Sequence, residues 1–277
     1  MHITTDTKVV ARFHTKPSPR GLNIYNPFFE EANLNAVYLL FFNPDPAPLI
    51  SAMRGFNLAG AITAGFESDD RLPPLLDEID DVSAYTGKVG FITNQNGKLI
   101  GSSQGGQGLL QSVLKSGPIE GKKLVLVGSG NIARGFLFNI KKQFVNPPEV
   151  ILVNRTVEKA LSIQKDFPFV IAVKPVTDLV IQVGDILVNA TNLGGSQTDD
   201  VYTESIVNNF QTIVDVTFES ENTNLVNLAK KLNKKLSTGW DMFAYQGQVI
   251  LETIFQTTID INLFRKHVIN GLSKVVS

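Results

Sequence analysis

The chain has 277 residues, and its 25 Lys and Arg against 26 Asp and Glu give a formal net charge of −1, which argues against a basic nucleic-acid-binding surface. A hydrophobic content of 43% with 18% charged residues is typical of a globular protein, and the length favours two domains. Because the sequence contains no cysteine, it excludes disulfides, thiolate nucleophiles and Cys-ligated zinc.

The first third of the chain predicts short strands that alternate with helices, which indicates a mainly parallel sheet. Pro46 and Gly55 mark the start and the end of one predicted helix. Asn96-Gly97 predicts the turn of a β-hairpin. The predicted strands are 9–13, 36–42, 59–64, 89–93 and 98–100, and the predicted helices are 22–32 and 46–54.

The rest of the chain predicts a doubly wound nucleotide-binding fold, because its strands and helices alternate in βαβαβ order. The predicted strands are 123–127, 150–153, 185–189, 213–216 and 235–237, and the predicted helices are 109–115, 131–144, 157–167 and 224–232. A final stretch, 242–264, predicts one long or broken helix. We expect a substrate domain over 1–104, a Rossmann domain over 105–240, a glycine-rich hinge at 101–108, and a helical segment over 241–277 that packs back on the first domain.

A G-x-G-x-x-A motif follows the apolar strand KLVLV and opens a predicted helix. Gly128 permits a tight turn, Gly130 lets the backbone approach a pyrophosphate, and Ala133 lets the helix pack closely on the strand. The alternative is an ordinary glycine-rich turn, which the strand–loop–helix context makes less favoured. The predicted phosphate-binding residues are Gly128, Ser129, Gly130, Asn131, Ile132 and Ala133.

The end of the next strand predicts which dinucleotide binds. An acidic residue at this place usually holds the ribose 2′-hydroxyl of NAD, but here the strand ends in Asn154-Arg155-Thr156, with Lys159 one turn later. Arg155 can bind a 2′-phosphate through two hydrogen bonds, Thr156 can add another, and Asn154 can hold a ribose hydroxyl. The alternative is a helix N-cap at Thr156 beside a surface arginine. The pattern favours NADP over NAD.

A third element, Asn189-Ala190-Thr191 and the residues up to Gly194-Gly195, follows the strand DILVN. Backbone at the carboxyl end of a strand in such a sheet lines the ligand crevice. The two glycines would permit close approach to a nicotinamide ribose. A plain turn rich in Asn and Gly explains the same residues equally well.

Taken in order, these motifs resemble the shikimate dehydrogenase family over essentially the whole chain. The matching pieces are Lys16-Pro17-Ser18-Pro19, 61–67, 101–108, the G-x-G-x-x-A motif, Asn154-Arg155-Thr156, 185–191 and 239–246. The resemblance implies two α/β domains, NADP as the cofactor, and reversible reduction of a 3-oxo cyclohexene carboxylate in aromatic amino acid biosynthesis. It also implies substrate contacts for Ser18, Thr63 and Gln246, although Ser18 and Thr63 are explained equally well as a turn residue and a strand residue.

The same resemblance breaks down where the family does its chemistry. The family motif N-V-T-x-P-x-K, whose Lys is the general acid/base, aligns with 61–67 and leaves Ala61 at the Asn position and Glu67 at the Lys position. The motif G-x-N-T-D-x-x-G, whose Asp partners that Lys, leaves Gly105 at the Asp position. A further family asparagine falls on Gly90. An ionised carboxylate accepts hydrogen bonds only, so Glu67 is a catalytic candidate as a base or as an attractor of a cationic group.

These observations leave two function classes open. The first is an NADP-dependent oxidoreductase for a small cyclic hydroxy or oxo acid or a related ligand, inefficient on shikimate. The second is a catalytically silent dinucleotide-binding relative with a sensing or partner role.

His2, His14 and His267 lack metal-ligand spacing, so we expect no metal. No apolar run suits a membrane span or a signal peptide. We therefore predict a cytoplasmic monomer or homodimer with a small-molecule substrate and neither nucleic-acid nor membrane partners.

Overall fold

The computed structural model describes residues 3–16, 19, 21–193, 201–218 and 222–276. The chain forms two compact units. The first unit combines Met1–Gln104 with Gln246–Ser277, and the second unit is Gly105–Tyr245. The expected hinge over 101–108 concerns the relation between the two units and stays a prediction.

The strands are β1 Lys8–His14, β2 Ala36–Phe42, β3 Gly60–Ala64, β4 Glu78–Ile79, β5 Phe91–Gln95, β6 Lys98–Ser102, β7 Lys123–Val127, β8 Glu149–Asn154, β9 Val170–Pro175, β10 Ile186–Asn189, β11 Thr212–Asp215 and β12 Lys235–Ser237. The helices are α1 Leu22–Glu31, α2 Pro46–Gly55, α3 Asp81–Thr86, α4 Gly105–Leu114, α5 Asn131–Gln143, α6 Val157–Gln164, α7 Glu204–Asn208, α8 Asn224–Lys231, α9 Gly239–Phe255 and α10 Ile261–Val276. Short 3₁₀ turns cover Pro73–Leu75 and Val176–Ile181.

Among the described residues, the sheet of the first unit is mixed, with three parallel and two antiparallel strand pairs. Its order is β2-β1-β3-β5-β6-β4, and β1 pairs in parallel with both β2 and β3. The pairs β3–β5 and β5–β6 are antiparallel. The reason is the hairpin that joins β5 to β6, whose turn residues Asn96 and Gly97 have φ of 54° and 90°. The turn prediction is therefore confirmed. Within the described strands, the sheet is parallel at β1–β2, β1–β3 and β4–β6, and it departs from the predicted parallel arrangement only at the two pairs that β5 makes.

The sheet of the second unit confirms the doubly wound prediction. Its order is β12-β11-β10-β7-β8-β9, and all neighbouring strands are parallel. Numbered within the unit, this is the Rossmann order with its switch point between β7 and β10, where such sheets bind ligands. The sequence predicted no strand over 170–175. That stretch forms the edge strand β9, whose residues are mostly half-buried, so no strong apolar pattern marks it.

The predicted final helix, 242–264, is two helices. Gln256, just after α9, has φ of 52°, and a non-glycine residue in that conformation ends a helix. Asp260 then caps α10, because its Oδ1 accepts the backbone N–H of Asn262 over 2.8 Å and of Leu263 over 3.2 Å. In α10, Phe264 packs edge-on against Phe28 of α1.

Each unit buries its own apolar core. The first unit packs Phe13, Met53, Ala61 and Ile92 together, all with at most 2% of their surface exposed. In the second unit, the central strands are apolar on both faces because helices cover both sides of a parallel sheet. The residues of its core cluster include Val125, Val127, Leu187, Phe210 and Ile213.

Candidate functional site

The turn between β7 and α5 rests on a glycine that the protein itself requires. Gly128 has φ of +109°, a backbone conformation that side chains other than glycine rarely adopt. Its N–H donates to the Val153 carbonyl over 2.8 Å. A Cβ atom at Gly128 would lie 2.5 Å from Thr191 Cγ2 and 3.0 Å from the Ala190 carbonyl oxygen. The tight turn expected at Gly128 is therefore present, and the loop after β10 packs directly onto it.

Gly130 differs, because no contact within the described residues requires a glycine at this position. Its φ of −75° is open to any residue, and a Cβ atom added there would meet none of the described atoms within 4 Å. Gly130 is the N-cap of α5 and offers no side chain to the first N–H groups of that helix. Open space therefore lies beside the positive end of the helix dipole, which is where an anion binds.

The remaining residues of the motif have different surroundings. Ala133 has no exposed surface, so its small side chain lies in the core. Asn131 is exposed, and Ser129 and Ile132 are half-buried. Of these four residues, Ala133 alone is fully buried.

The end of β8 and the start of α6 present polar side chains, some of which have no partner among the described residues. Asn154 Nδ2 donates to the Thr156 carbonyl over 2.7 Å, which shapes the turn into α6. Thr156 is the N-cap of α6, but its hydroxyl makes no capping hydrogen bond. The side chains of Arg155 and Lys159 are exposed, and neither forms a hydrogen bond or ion pair within the described part of the chain. The alternative role of Thr156 as a side-chain cap is therefore not what the geometry shows.

Hydrogen bonds hold the first residues after β10, 190–193, in a turn. Asn189 has no exposed surface, and its Oδ1 accepts the Thr191 N–H over 3.2 Å and the Thr191 hydroxyl over 2.6 Å. Its Nδ2 donates to the Leu193 carbonyl over 2.9 Å. The N–H of Ala190 donates to the Val127 carbonyl over 2.8 Å. Gly194 and Gly195 lie outside the described residues.

One cavity of about 310 Å³ brings these three elements together. Its walls come from the carboxyl ends of β7, β8 and β10, the ligand-binding edge of a doubly wound sheet. A volume of this size holds part of a nucleotide ligand. The lining residues are Val127, Gly128, Val153, Asn154, Arg155, Val176, Thr191, Asn192 and Leu193.

A buried carboxylate, for which the sequence predicted no role, is hydrogen-bonded to Asn189 at this edge of the sheet. Asp215, the last residue of β11, has no exposed surface, and its Oδ1 lies 3.0 Å from Asn189 Nδ2. Burial raises the pKa of Asp215, while hydrogen bonds from Thr223, Thr217 and Asn189 act in the opposite direction. The signal in the sequence was an aspartate that ends the apolar strand TIVD, at the functional edge of the sheet.

In the first unit, Thr63 is a buried strand residue. Its hydroxyl donates to the Val89 carbonyl over 2.5 Å, and its N–H donates to the Gly90 carbonyl over 3.1 Å. Its side-chain proton is thus used inside the unit, and only the oxygen lone pairs remain for a ligand.

Glu67 closes the turn that follows β3. It is exposed, and its Oε2 accepts the Gly65 N–H over 2.8 Å. Gly65 has φ of +84°, and a Cβ atom there would lie 2.5 Å from Thr15 Oγ1, so this turn requires glycine. The carboxylate therefore acts as a hydrogen-bond acceptor for its own loop.

The other predicted positions have room around them. Among the described atoms, a Cβ at Gly105, the first residue of α4, would meet only Ile132 Cγ1, at 3.6 Å, which is an ordinary contact. Within the same described residues, a Cβ at Gly90 would meet only the Ser102 carbonyl oxygen, at 4.0 Å. Gln246 is half-buried on α9. Ser18 lies outside the described residues.

The described residues carry no membrane-spanning helix and no metal-ligand cluster. None of their helices combines the length and the apolar character that crossing a membrane requires. Nor do they contain a group of three or more His, Cys, Asp or Glu side chains placed to hold a metal ion.

Comparison with known proteins supports the resemblance seen in the sequence. Residues 109–218 match the family model for shikimate / quinate 5-dehydrogenase. The chain is 29% identical over 228 residues to the shikimate dehydrogenase (NADP(+)) of Aquifex aeolicus (strain VF5). The aligned region covers 80% of this chain and 81% of that relative. These matches confirm that the chain is shikimate dehydrogenase-like.

Two solved structures show the same fold. A shikimate 5-dehydrogenase-like protein superposes with a TM-score of 0.83 at 20% identity, covering 98% of this chain and 99% of the other. A shikimate dehydrogenase in complex with NADP+ superposes with a TM-score of 0.82 at 24% identity, covering 98% of both chains. The fold extends over nearly the whole chain, although its sequence has diverged widely.

Proposed function

We propose that this shikimate dehydrogenase-like chain binds NADP(H) in the cavity of its second unit and works as an NADP-dependent oxidoreductase. One observation carries the proposal: Arg155 and Thr156 present a cation and a hydroxyl at the end of β8, and neither group has an intramolecular hydrogen bond among the described residues. Arg155 also lines the cavity. Groups left without partners at the binding edge of a doubly wound sheet fit a ligand that supplies the partners.

The residues fit NADP better than NAD. The Arg155 guanidinium can hold a 2′-phosphate through two hydrogen bonds, and the Thr156 hydroxyl can donate a third. The strand end Asn154-Arg155-Thr156 contains no carboxylate that would repel the phosphate. At α5, the space beside Gly130 admits a pyrophosphate to the first N–H groups of the helix. The relative from Aquifex aeolicus is likewise named as an NADP(+) enzyme.

Bound NADPH would supply a hydride to a substrate carbonyl, and NADP⁺ would accept one from an alcohol. This chain contributes binding and orientation. Thr191, Asn192 and Leu193 wall the cavity on the β10 side, while Gly128 keeps the phosphate turn tight. A dinucleotide held by both strand ends has its reactive ring fixed in one orientation, which lowers the entropic part of the barrier.

The substrate we propose is a small cyclic hydroxy or oxo acid, or a related ligand, rather than shikimate. By its resemblance to the family, the chain has Glu67 where the general acid/base Lys stands and Gly105 where its Asp partner stands. Glu67 is exposed and accepts the Gly65 N–H, so an ionised Glu67 can attract a cationic group or take up a proton but cannot deliver one. Thr63 and Gln246 remain the proposed substrate contacts.

The geometry around Glu67 also supports a second candidate function. A carboxylate that closes its own turn, together with a glycine at the start of α4, suits a catalytically silent protein that binds the dinucleotide as a sensor or partner. Measuring NADPH oxidation against a panel of cyclic oxo acids and oxo amines separates the two functions. Turnover of any member supports the oxidoreductase, whereas tight NADP⁺ binding with no turnover supports the silent role.

Calorimetric titration tests the cofactor proposal. We expect wild-type protein to bind NADP⁺ more tightly than NAD⁺, and Arg155→Ala to lose about 1.5–3 kcal/mol of NADP⁺ binding free energy, the worth of a charged hydrogen-bonded contact. The affinity for NAD⁺, which lacks the 2′-phosphate, should stay unchanged. Lys165→Ala is the matched control, because it removes a positive charge from the other end of α6. Equal wild-type affinities, or an Arg155→Ala variant with wild-type NADP⁺ affinity, would overturn the proposal.

A further inference from the structure

A closed set of polar side chains joins the ends of β10 and β11. We call it the Asp215 network, and its members are Asn189, Thr191, Asp215, Thr217 and Thr223. Asn189 and Asp215 have no exposed surface, and Thr217 and Thr223 are at most 5% exposed. Polar groups buried this deeply cost free energy unless they are hydrogen-bonded, so the arrangement serves a purpose that an apolar core would not.

The Asp215 carboxylate accepts hydrogen bonds from its neighbours in the network. Oδ1 accepts from Asn189 Nδ2 over 3.0 Å, from the Thr217 N–H over 3.1 Å and from the Thr217 hydroxyl over 2.9 Å. Oδ2 accepts from the Thr223 hydroxyl over 2.6 Å. Because an ionised carboxylate has acceptors only, it can face the NH₂ end of the Asn189 amide but not its oxygen. The Leu193 carbonyl, which accepts Nδ2 over 2.9 Å, selects the same orientation from the loop. Asp215 and Leu193 together therefore fix which way that amide points, and Asp215 is the partner that lies outside the loop.

The fixed amide in turn shapes the cavity wall. With Nδ2 held by Asp215, the Asn189 oxygen faces Thr191, where it accepts both the backbone N–H and the hydroxyl. The Thr191 hydroxyl oxygen also accepts the Leu193 N–H over 3.0 Å. Thr191 and Leu193 both line the cavity. An Asn189 amide turned by 180° would present its NH₂ group to the Thr191 N–H and break this arrangement.

The wall reaches as far as the phosphate turn. Thr191 Cγ2 is the atom nearest to the place where a Cβ at Gly128 would lie, at 2.5 Å, so the loop after β10 packs against the glycine of the turn. A shift of Thr191 would therefore change both the cavity wall and the space around Gly128. Contacts run without a break from Asp215 through Asn189 and Thr191 to Gly128.

We propose that Asp215 is a positioning residue for the dinucleotide: by orienting the Asn189 amide, it holds residues 190–193 in the shape that binds the cofactor. This inference rests on the proposed function, because it assumes that the cavity binds NADP(H). Asp215 itself touches no ligand in this scheme. It acts through Asn189 and Thr191.

Calorimetric Kd values for NADP⁺ test the role. Asp215→Ala removes the acceptor and should raise Kd about tenfold or more, whereas Asp215→Asn keeps one acceptor oxygen for Asn189 and should stay within about threefold. Thr191→Val removes only the hydroxyl at the cavity and should raise Kd about three- to tenfold. Thr203→Val is the matched control, because its hydroxyl caps α7 outside the network.

Amide hydrogen exchange in ligand-free protein gives a second readout that a purely stabilising role would not reproduce. The Thr191 and Leu193 amides bond to side chains of the network, so Asp215→Ala and Thr191→Val should speed their exchange selectively, and Thr203→Val should not. If Asp215→Ala does not fold, Thr191→Val decides.

The outcomes separate the two proposals. Wild-type protein that binds no NADP⁺ would overturn the proposed function, and the positioning role with it. Wild-type protein that binds NADP⁺, with an unchanged Kd for Asp215→Ala and Thr191→Val, would overturn the positioning role alone. The positioning role would also be overturned if Thr203→Val raised the Kd for NADP⁺ as much as Thr191→Val does.

Discussion

The two units use the residues at their strand ends in opposite ways. In the second unit, the strand ends β7, β8 and β10 meet at one cavity and leave Arg155 and Thr156 without intramolecular partners among the described residues. In the first unit, polar groups at the end of β3 have partners within the unit, since Thr63 of β3 donates to the Val89 carbonyl and Glu67, just after β3, accepts the Gly65 N–H. Unsatisfied groups at the ligand edge of a doubly wound sheet point to binding, whereas satisfied groups point to folding. This contrast is the basis for the two proposals, that the second unit binds a dinucleotide and that the first unit differs from the family in its chemistry.

The largest expected effect concerns that chemistry. We expect little or no oxidation of shikimate with NADP⁺. The hydroxyl proton must pass to a base, and by the family resemblance the Lys that takes it is replaced by Glu67, whose carboxylate accepts the Gly65 N–H of its own turn. Loss of a positioned general acid/base slows such a step by about 10²–10⁴. An absorbance assay at high enzyme concentration measures NADPH formation. Turnover above about 1 s⁻¹, an ordinary enzymatic rate, would contradict the contrast between the two units.

A pair of substitutions sharpens the same point. Glu67→Lys with Gly105→Asp restores the family's two residues, and the nearest contact for a Cβ at Gly105, 3.6 Å to Ile132, leaves room for the new side chain. Any gain in shikimate turnover over wild type would show that the substrate site lost only its proton donor. Glu67→Lys alone is the control, because a lysine without its carboxylate partner is less well oriented. An inert double variant would mean that the remaining substrate contacts also changed.

A second prediction separates folding from binding within one motif. Gly128→Ala should lower the free energy of unfolding by about 1–3 kcal/mol, because alanine is strained at φ of +109° and its Cβ meets Thr191. Gly130→Ala should change stability by less than about 0.5 kcal/mol, yet weaken NADP⁺ binding about tenfold or more, because the methyl group fills the path of the pyrophosphate. Urea unfolding and calorimetry measure the two quantities. An unchanged NADP⁺ affinity in Gly130→Ala would contradict the proposal that Gly130 leaves room for the pyrophosphate.

The smallest effect expected is a dependence of stability on pH that Asp215 causes. Burial raises the pKa of Asp215 above its ordinary value of 3.8, so the folded protein holds that proton more tightly than the unfolded chain does. Its contribution to stability is fully present below 3.8 and is lost as the pH rises through the folded pKa. Tyr202, the titratable neighbour, has a pKa raised well above 10 by burial and by Asp215, so it stays neutral in this range.

Urea unfolding of wild type and Asp215→Asn at a series of pH values checks this. The stability of wild type relative to the variant should fall as the pH rises from about 4, because the asparagine side chain of the variant does not titrate. A relative stability that rises with pH would mean that the hydrogen bonds to Asp215 outweigh its burial.

The fold was largely predictable because its signals are local. The apolar strand KLVLV, the glycine turn and the helix after it lie within about twenty residues of one another, and each is a statement about neighbouring side chains and backbone angles. The edge strand β9 and the break after α9 carry weaker local signals, since half-buried residues and a single Gln256 in a left-handed conformation look like many other stretches. Pairing across the sheet, including the antiparallel β3–β5 pair, depends on residues far apart in the chain.

The candidate site divides in the same way. The sequence by itself determined the glycine turn, the cationic strand end at Arg155 and the shikimate dehydrogenase-like order of motifs, because each depends on residue type and short spacing. Only the tertiary structure decided that no described atom lies close to a Cβ at Gly130 while Gly128 is crowded, that the Thr156 hydroxyl makes no capping hydrogen bond, and that Asp215 is hydrogen-bonded to Asn189. Those facts depend on which atoms lie across a gap between strands, and twenty-six residues separate Asn189 from Asp215. Distances of a few ångströms between such atoms are set by packing, and no pattern of neighbouring residues encodes them.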